Sequence, residues 1–216
     1  MPANLSEQTE QTRNAFISAL PEDQRNIVGN AFAELMASTV AAAARGPGDR
    51  AADFQLPSVR GGTLSLYAAL EEGPVVLSFY RGSWCPFCNL ELNALQARLP
   101  DIRTAGGRLI AVSPEQPDAS LSHAGKLNLE FDILADIGNR TARDYGLVMT
   151  VYESLRPLYL QWGIDLPAAN GDTTYELPVP ATYVIDSAGE IRAAYVDKDY
   201  TKRMEPEAIV AALRAI

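Results

Sequence analysis

The chain is short of the residues that hold metals or staple a fold. Its 216 residues include two cysteines and one histidine. A zinc site asks for four ligands, so Cys85, Cys88 and His123 would still need a carboxylate, and no metal centre is expected. Two cysteines are too few for a disulfide framework. Positive charge is scarce as well: 18 Lys and Arg face 27 Asp and Glu, a formal net charge of −9. Such a surface repels phosphate backbones and anionic headgroups, so neither nucleic acid nor a membrane is expected as partner. There is no apolar run of bilayer-spanning length. No glycine-rich phosphate loop is present, so no nucleotide or other organic cofactor is implied. The polar start, Met1 to Gln11, lacks a basic-then-apolar leader pattern, and a cytoplasmic protein is the expectation.

What is present reads as a globular α/β chain without internal repeats. From about Leu5 to Arg45 the pattern is helical. Phe16, Ile17 and Leu20 form one apolar face, and Pro21-Glu22-Asp23 restarts a second helix carrying Ile27, Phe32, Leu35 and Met36. Pro47-Gly48-Asp49 marks a boundary. It divides an N-terminal helical extension, 1–46, from a main domain, 47–216. The extension's two amphipathic helices could pack on a core of their own or form a homodimer interface.

Beyond the boundary strands alternate with helices. Val75 to Tyr80 is an apolar, β-rich run suited to a strand buried on both faces. A helical pattern follows from Leu90 to about Gly106. Leu109–Val112 and Phe131–Leu134 read as strands, Asp118–Leu127 and Asn139–Tyr145 as helices. Val151 to Trp162 reads as one helix, Pro167 to Asp172 as loop. Ala181–Asp186 and Ile191–Val196 form an expected hairpin, and Glu205-Pro206 opens a last helix. This alternation predicts a central sheet flanked by helices.

The chemistry concentrates in Phe79-Tyr80-Arg81-Gly82-Ser83-Trp84-Cys85-Pro86-Phe87-Cys88. A strand delivers the chain to the carboxyl edge of the sheet, where α/β folds place their sites. Cys85 then falls at a helix start, where free backbone N–H groups and the helix dipole favour a thiolate. Cys88, three residues on, shares its face one turn along, within reach of a disulfide. Pro86 suits the first turn. Redox chemistry fits this pair better than a core pair, a zinc site or a permanent small-loop disulfide.

The turn Trp84-Cys85-Pro86-Phe87-Cys88 resembles the active site of thioredoxin-like proteins. The longer string through Asn89-Leu90-Glu91-Leu92 resembles a peroxiredoxin-like branch of the alkyl hydroperoxide reductase/thiol-specific antioxidant family. Gly48 to Pro57 and Leu177 to Asp186 are similar to two of that family's strands, so the likeness runs from about residue 48 to the end. It implies a thioredoxin-like fold with a mixed sheet. It implies a peroxidase in which Cys85 attacks and Cys88 resolves, recycled by a thioredoxin-type reductant. It also implies that Pro180 is a cis-proline beside the cysteine pair.

Departures accompany the likeness. Arg81 stands where the family's proline would follow Phe-Tyr, Gly82 replaces the threonine or serine three residues before the attacking cysteine, and Pro180 stands near the family's strand arginine. The missing cation could come from Arg81, Arg192 or Arg203. Glu91 and Asp132 could relay protons near the site but read first as exposed carboxylates, His123 as a polar helix residue, and Tyr152, Tyr159 and Trp162 as one packed helix face. Trp84, Arg81, Pro86 and Pro180 are the residues expected to shape the site. Besides a peroxidase, two readings stay open: a general thiol–disulfide oxidoreductase acting on protein disulfides, and a silent redox module that binds partners through its N-terminal helices.

Overall fold

The computed structural model describes residues 4–216; Met1 to Ala3, the head of the polar start, lie outside them. Two helices come first, α1 (Leu5–Ala19) and α2 (Glu22–Ala37). Asn4 opens α1 through a capping box: its side chain accepts the Glu7 N–H, and the Glu7 carboxylate returns to the Asn4 N–H. The helical reading overshoots, because the chain leaves α2 at Ser38 and turns through Ala41, whose φ is +59°.

A short hairpin, β1 (Gln55–Pro57) and β2 (Thr63–Ser65), leads through α3 (Leu66–Leu70) into β3 (Val75–Phe79). Next come α4 (Pro86–Ala97), α5 (Leu99–Thr104), β4 (Arg108–Ser113), α6 (Pro117–Lys126), β5 (Asp132–Ala135) and α7 (Arg140–Asp144). The segment β6 (Val148–Thr150), a 3-10 turn at Glu153–Leu155, α8 (Arg156–Gln161), α9 (Leu166–Asn170) and β7 (Glu176–Pro178) follows. The chain closes with β8 (Ala181–Ile185), β9 (Ile191–Val196) and α10 (Pro206–Arg214).

The central sheet has the order β5-β4-β3-β8-β9. β3, β4 and β5 run parallel, while β8 and β9 are antiparallel to their neighbours. This is the mixed, helix-flanked sheet expected above. Every residue of β3 and β8 is buried, as a strand covered on both faces requires. Alternate side chains feed two cores. Val76, Leu109 and Val184 join Leu92, Leu95, Ile102 and Leu213 on one face. Val75, Leu77, Phe79 and Tyr183 meet Leu66, Leu70 and Tyr145 on the other.

Four local expectations need correction. The helix after the cysteines breaks at Arg98, and α5 restarts with Pro100 in its first turn, where the missing N–H costs nothing. Val151 to Trp162 is no single helix; a 3-10 turn precedes α8, so Tyr152 does not share a helical face with Tyr159. Pro167 to Asp172 is not all loop. Asp165 accepts the Ala168 N–H and Gly171, at φ +73°, ends α9. Lastly, no cis peptide occurs among the described residues, so the Val179–Pro180 bond is trans. The Val179 N–H bonds the Leu147 carbonyl at 2.7 Å, extending the β6–β7 pairing, and an extended trans link carries the chain straight into β8.

The two N-terminal helices lie on the body. Phe16 meets Trp162 edge-on at 5.2 Å, Phe32 meets Tyr200 at 6.4 Å, and Leu35 packs with Met149 and Val179. Glu205, the residue before α10, accepts the free N–H groups of Leu5 and Ser6 at 3.2 and 2.8 Å and the Ser6 hydroxyl at 2.6 Å.

Candidate active site

The site starts where β3 ends. Gly82 carries φ +147°, and a Cβ there would sit 2.4 Å from Trp84 Nε1, so the turn admits only glycine. That accounts physically for the absence of a threonine at this position: the Trp84 indole occupies its space. Ser83 is pinned by the buried carboxylate of Glu115, which accepts both its N–H, at 3.1 Å, and its hydroxyl. Ser120 donates to the same carboxylate at 3.0 Å.

Cys85 is the N-cap of α4, and Pro86 occupies the first turn. Cys88 lies inside that turn. Both thiols are free and buried, 1% and 0% exposed. Burial alone pushes the Cys85 thiol up, but the neighbouring Cys88 thiol and the charges of Arg81 and Arg203 together outweigh it and bring Cys85 down to about 6. Cys88 moves the opposite way, well above the usual thiol range, through burial and the neighbouring Cys85. One sulfur is thus the thiolate and the other holds the proton.

Arg81 is buried and sandwiched. Its guanidinium carbon lies 4.4 Å from the Tyr200 ring centre and 5.1 Å from that of Trp84, and Nη2 donates to the Tyr159 hydroxyl. Its Nε has no partner, and its backbone N–H meets Cys88 Sγ at 3.5 Å. Arg203 reaches Cys88 Sγ through Nη2 at 3.2 Å and binds Glu91 through Nε. Glu91 also accepts the Thr182 hydroxyl at 3.3 Å. Burial is the main influence on Glu91, and despite Arg203 it raises the carboxyl to about 7.

Of the cations considered, two converge on the cysteines. Arg192 does not; it pairs with Asp186 and Glu190 on the surface. Pro180 is buried at the start of β8 but absent from the wall of the cavity at Cys85. Asp132 pairs with Arg108 on β4, and His123 stays on α6, away from that wall. Glu91 corrects the reading of an exposed helix carboxylate: it is 1% exposed and ion-paired. Tyr159 and Tyr200 were missed as site residues. Both arrive from elements remote in sequence, and only an aromatic residue on α8 or in the loop before α10 hinted at them.

The cavity against Cys85 has a volume of about 90 Å³ and an almost wholly apolar wall. Trp84, Phe87, Met149, Val151, Tyr159 and Tyr200 form its floor and sides, and Phe16, Val28, Ala31, Phe32 and Leu35 of α1 and α2 form its roof. A small electrophile inside it faces a thiolate with the Arg81 guanidinium on the same wall. Among the described residues no cluster of His, Cys, Asp and Glu suits a metal ion.

Residues 47–194 match the model of the AhpC/TSA family. Peroxiredoxin Q of Arabidopsis thaliana is 26% identical over 184 residues, 85% of this chain and 69% of that protein. Peroxiredoxin Q of Populus jackii is 25% identical over 142 residues, 66% of this chain and just over half, 56%, of that protein. The crystal structure of peroxidoxin BcpB from Mycobacterium tuberculosis superposes with a TM-score of 0.62 at 21% identity, over 79% of this chain and 97% of that one. The shared architecture is the thioredoxin-like fold.

Proposed function

The chain belongs to the AhpC/TSA family, and on that premise we propose that it is a thiol peroxidase working through Cys85 and Cys88. The observation that carries the reading is a thiolate-forming Cys85, 1% exposed, at a narrow apolar cavity whose wall also holds Arg81. A peroxide is small enough to enter. A protein disulfide would have to bring its sulfur into line with a Cys85 roofed by α1 and α2, which disfavours the general disulfide oxidoreductase as the first step.

The chemistry balances without a cofactor. The Cys85 thiolate attacks the terminal oxygen of ROOH; the S–O bond forms, the O–O bond breaks, and RO⁻ takes a proton to leave as alcohol or water. Arg81 lines the same cavity as Cys85 and supplies the positive charge for the leaving oxygen. The Cys88 thiol then displaces hydroxide from the Cys85 sulfenic acid, releasing water and closing the disulfide, while Arg203 steadies charge on the Cys88 sulfur. A thioredoxin-type dithiol returns both sulfurs to thiols by exchange, itself becoming a disulfide. A reducing cytoplasm would keep the pair ready between turnovers.

Rapid mixing of the reduced protein with hydrogen peroxide, followed by Trp84 fluorescence, tests the reading. Oxidation far faster than that of free cysteine is expected, with Cys88→Ser halting at the sulfenic acid. A rate equal to free cysteine removes peroxide as the substrate.

A further inference from the structure

The roof of the cavity is the feature with an unassigned role. Its five residues come from α1 and α2, outside the segment 47–194 that carries the family match. Each is apolar, and all but Ala31 are bulky. The helices are held in place by more than this contact: Glu205 fixes the start of α1, Arg13 pairs with Asp199, and Gln24 accepts the Trp162 indole N–H at 3.4 Å. A roof so anchored is a built wall of the site.

The wall contains one charged residue, Arg81, and no lysine or acidic residue. Arg81 Nε, buried, has no hydrogen-bond partner. A single guanidinium on an otherwise apolar wall suits a ligand with a compact oxygen-bearing head and an apolar body. A single water needs about 10–15 Å³, so about 90 Å³ holds a body of about six non-hydrogen atoms. A second cavity, of about 220 Å³, shares Phe16, Val28, Phe32, Phe87 and Tyr200 with the first and continues outward between the helices and the body, where Arg13 and Arg25 line its far side.

We propose that α1 and α2 form the specificity wall of this site and select uncharged hydroperoxides with a branched alkyl or aryl body over hydrogen peroxide. This rests on the peroxidase reading and deepens it. The hydroperoxide head lies at Cys85 and Arg81, and the body lies under Val28, Ala31 and Leu35, reaching toward Phe16 and Phe32 when it is larger. Burial of the body against these side chains raises the rate of encounter complex formation and displaces water from the thiolate.

The test compares second-order rates of Cys85 oxidation in the intact reduced protein by hydrogen peroxide, tert-butyl hydroperoxide and cumene hydroperoxide, each divided by its rate with free cysteine. The normalised rate should rise along that series, at least tenfold from first to last. In Ala31→Phe, which fills the chamber from α2, the cumene-to-hydrogen-peroxide ratio should drop tenfold or more. A flat or reversed series, or a ratio unmoved in a variant with native circular dichroism, overturns the proposal. Should Ala31→Phe not fold, 2-phenyl-2-propanol, the alcohol product, decides: it should slow alkylation of Cys85 in the unmodified protein, and no protection counts against the wall. Failure of the peroxidase reading looks different, since then all three hydroperoxides react no faster than with free cysteine.

Discussion

Replacing Arg81 by Met is the most informative single change. Methionine keeps length and apolar contact between Tyr200 and Trp84 while removing the charge. Burial, the largest influence on Cys85, would continue to push its thiol up, and one of the two cations opposing it would be gone. An opposite charge in direct proximity is worth about one to three pKa units. With two taken, Cys85 moves from about 6 to roughly 8, a cost of about 2.7 kcal/mol to the thiolate. At pH 7 the ionised fraction then falls from about nine-tenths to about one-tenth, and oxidation by peroxide slows about tenfold. The loss should shrink toward pH 9, where both proteins are ionised. Any further loss that persists at high pH measures the part Arg81 plays at the leaving oxygen, about a hundredfold if it matches a typical oxyanion donor. The assay is stopped-flow fluorescence across pH 5 to 9, with iodoacetamide alkylation as a second probe that has no peroxide oxygen to stabilise. An alkylation midpoint unchanged by Arg81→Met would refute the assignment of Arg81 as the charge that ionises Cys85.

Cys88→Ser should leave the first oxidation intact and accumulate a sulfenic acid that dimedone captures; capture no greater than in the unmodified protein counts against Cys88 as resolver. Glu91→Gln addresses the raised carboxyl. Because its folded value of about 7 lies above the ordinary 4.5, Glu91 favours the folded state at low pH and loses that contribution as pH rises from about 4.5 through 7. Urea titrations should therefore show Glu91→Gln gaining on the unmodified protein across that window, by at most about 3 kcal/mol, whereas parallel curves would mean that Glu91 is not raised. Gly82→Ala should cost about 2–4 kcal/mol and displace Trp84, visible as lost stability and altered tryptophan emission, since its Cβ would meet the indole at 2.4 Å. Leu35→Ala, at a 2% exposed position, should cost about 2–5 kcal/mol, and a cost under 0.5 would mean that α2 is not packed as described.

How much of this was readable in the sequence depended on distance along the chain. Cys85, Cys88, Pro86 and Trp84 are neighbours, so one strand–turn–helix pattern revealed them together. The sheet was readable too, because β3, β4 and β8 are short apolar runs between turn residues. Tyr159 gave no such signal, Arg203 was only one of three candidate cations, and Glu91 was set aside as an exposed carboxylate. Glu91 looks like any helix carboxylate until Arg203, 112 residues away, is folded against it. The stripe of Phe16, Ile27, Phe32 and Leu35 announced that something would be covered without saying what. Two errors had local remedies. Asp165 with Pro167 is a helix-start signal that foretold α9, and Pro100 marked the restart of α5. The cis reading of Pro180 came from the resemblance, and the trans Val179–Pro180 bond contradicts it.

The loop that ends at Glu205 has a double hold. Within six residues it sends Tyr200 against Arg81, Arg203 against the Cys88 sulfur, and Glu205 onto the first amides of α1. Anything that loosens the far tip of the first helix is therefore transmitted, through a few covalent bonds, to the guanidinium beside the resolving sulfur. The amino-terminal hairpin of helices and the redox pair are parts of one mechanical frame, so trimming the former for crystallisation or expression would alter the latter.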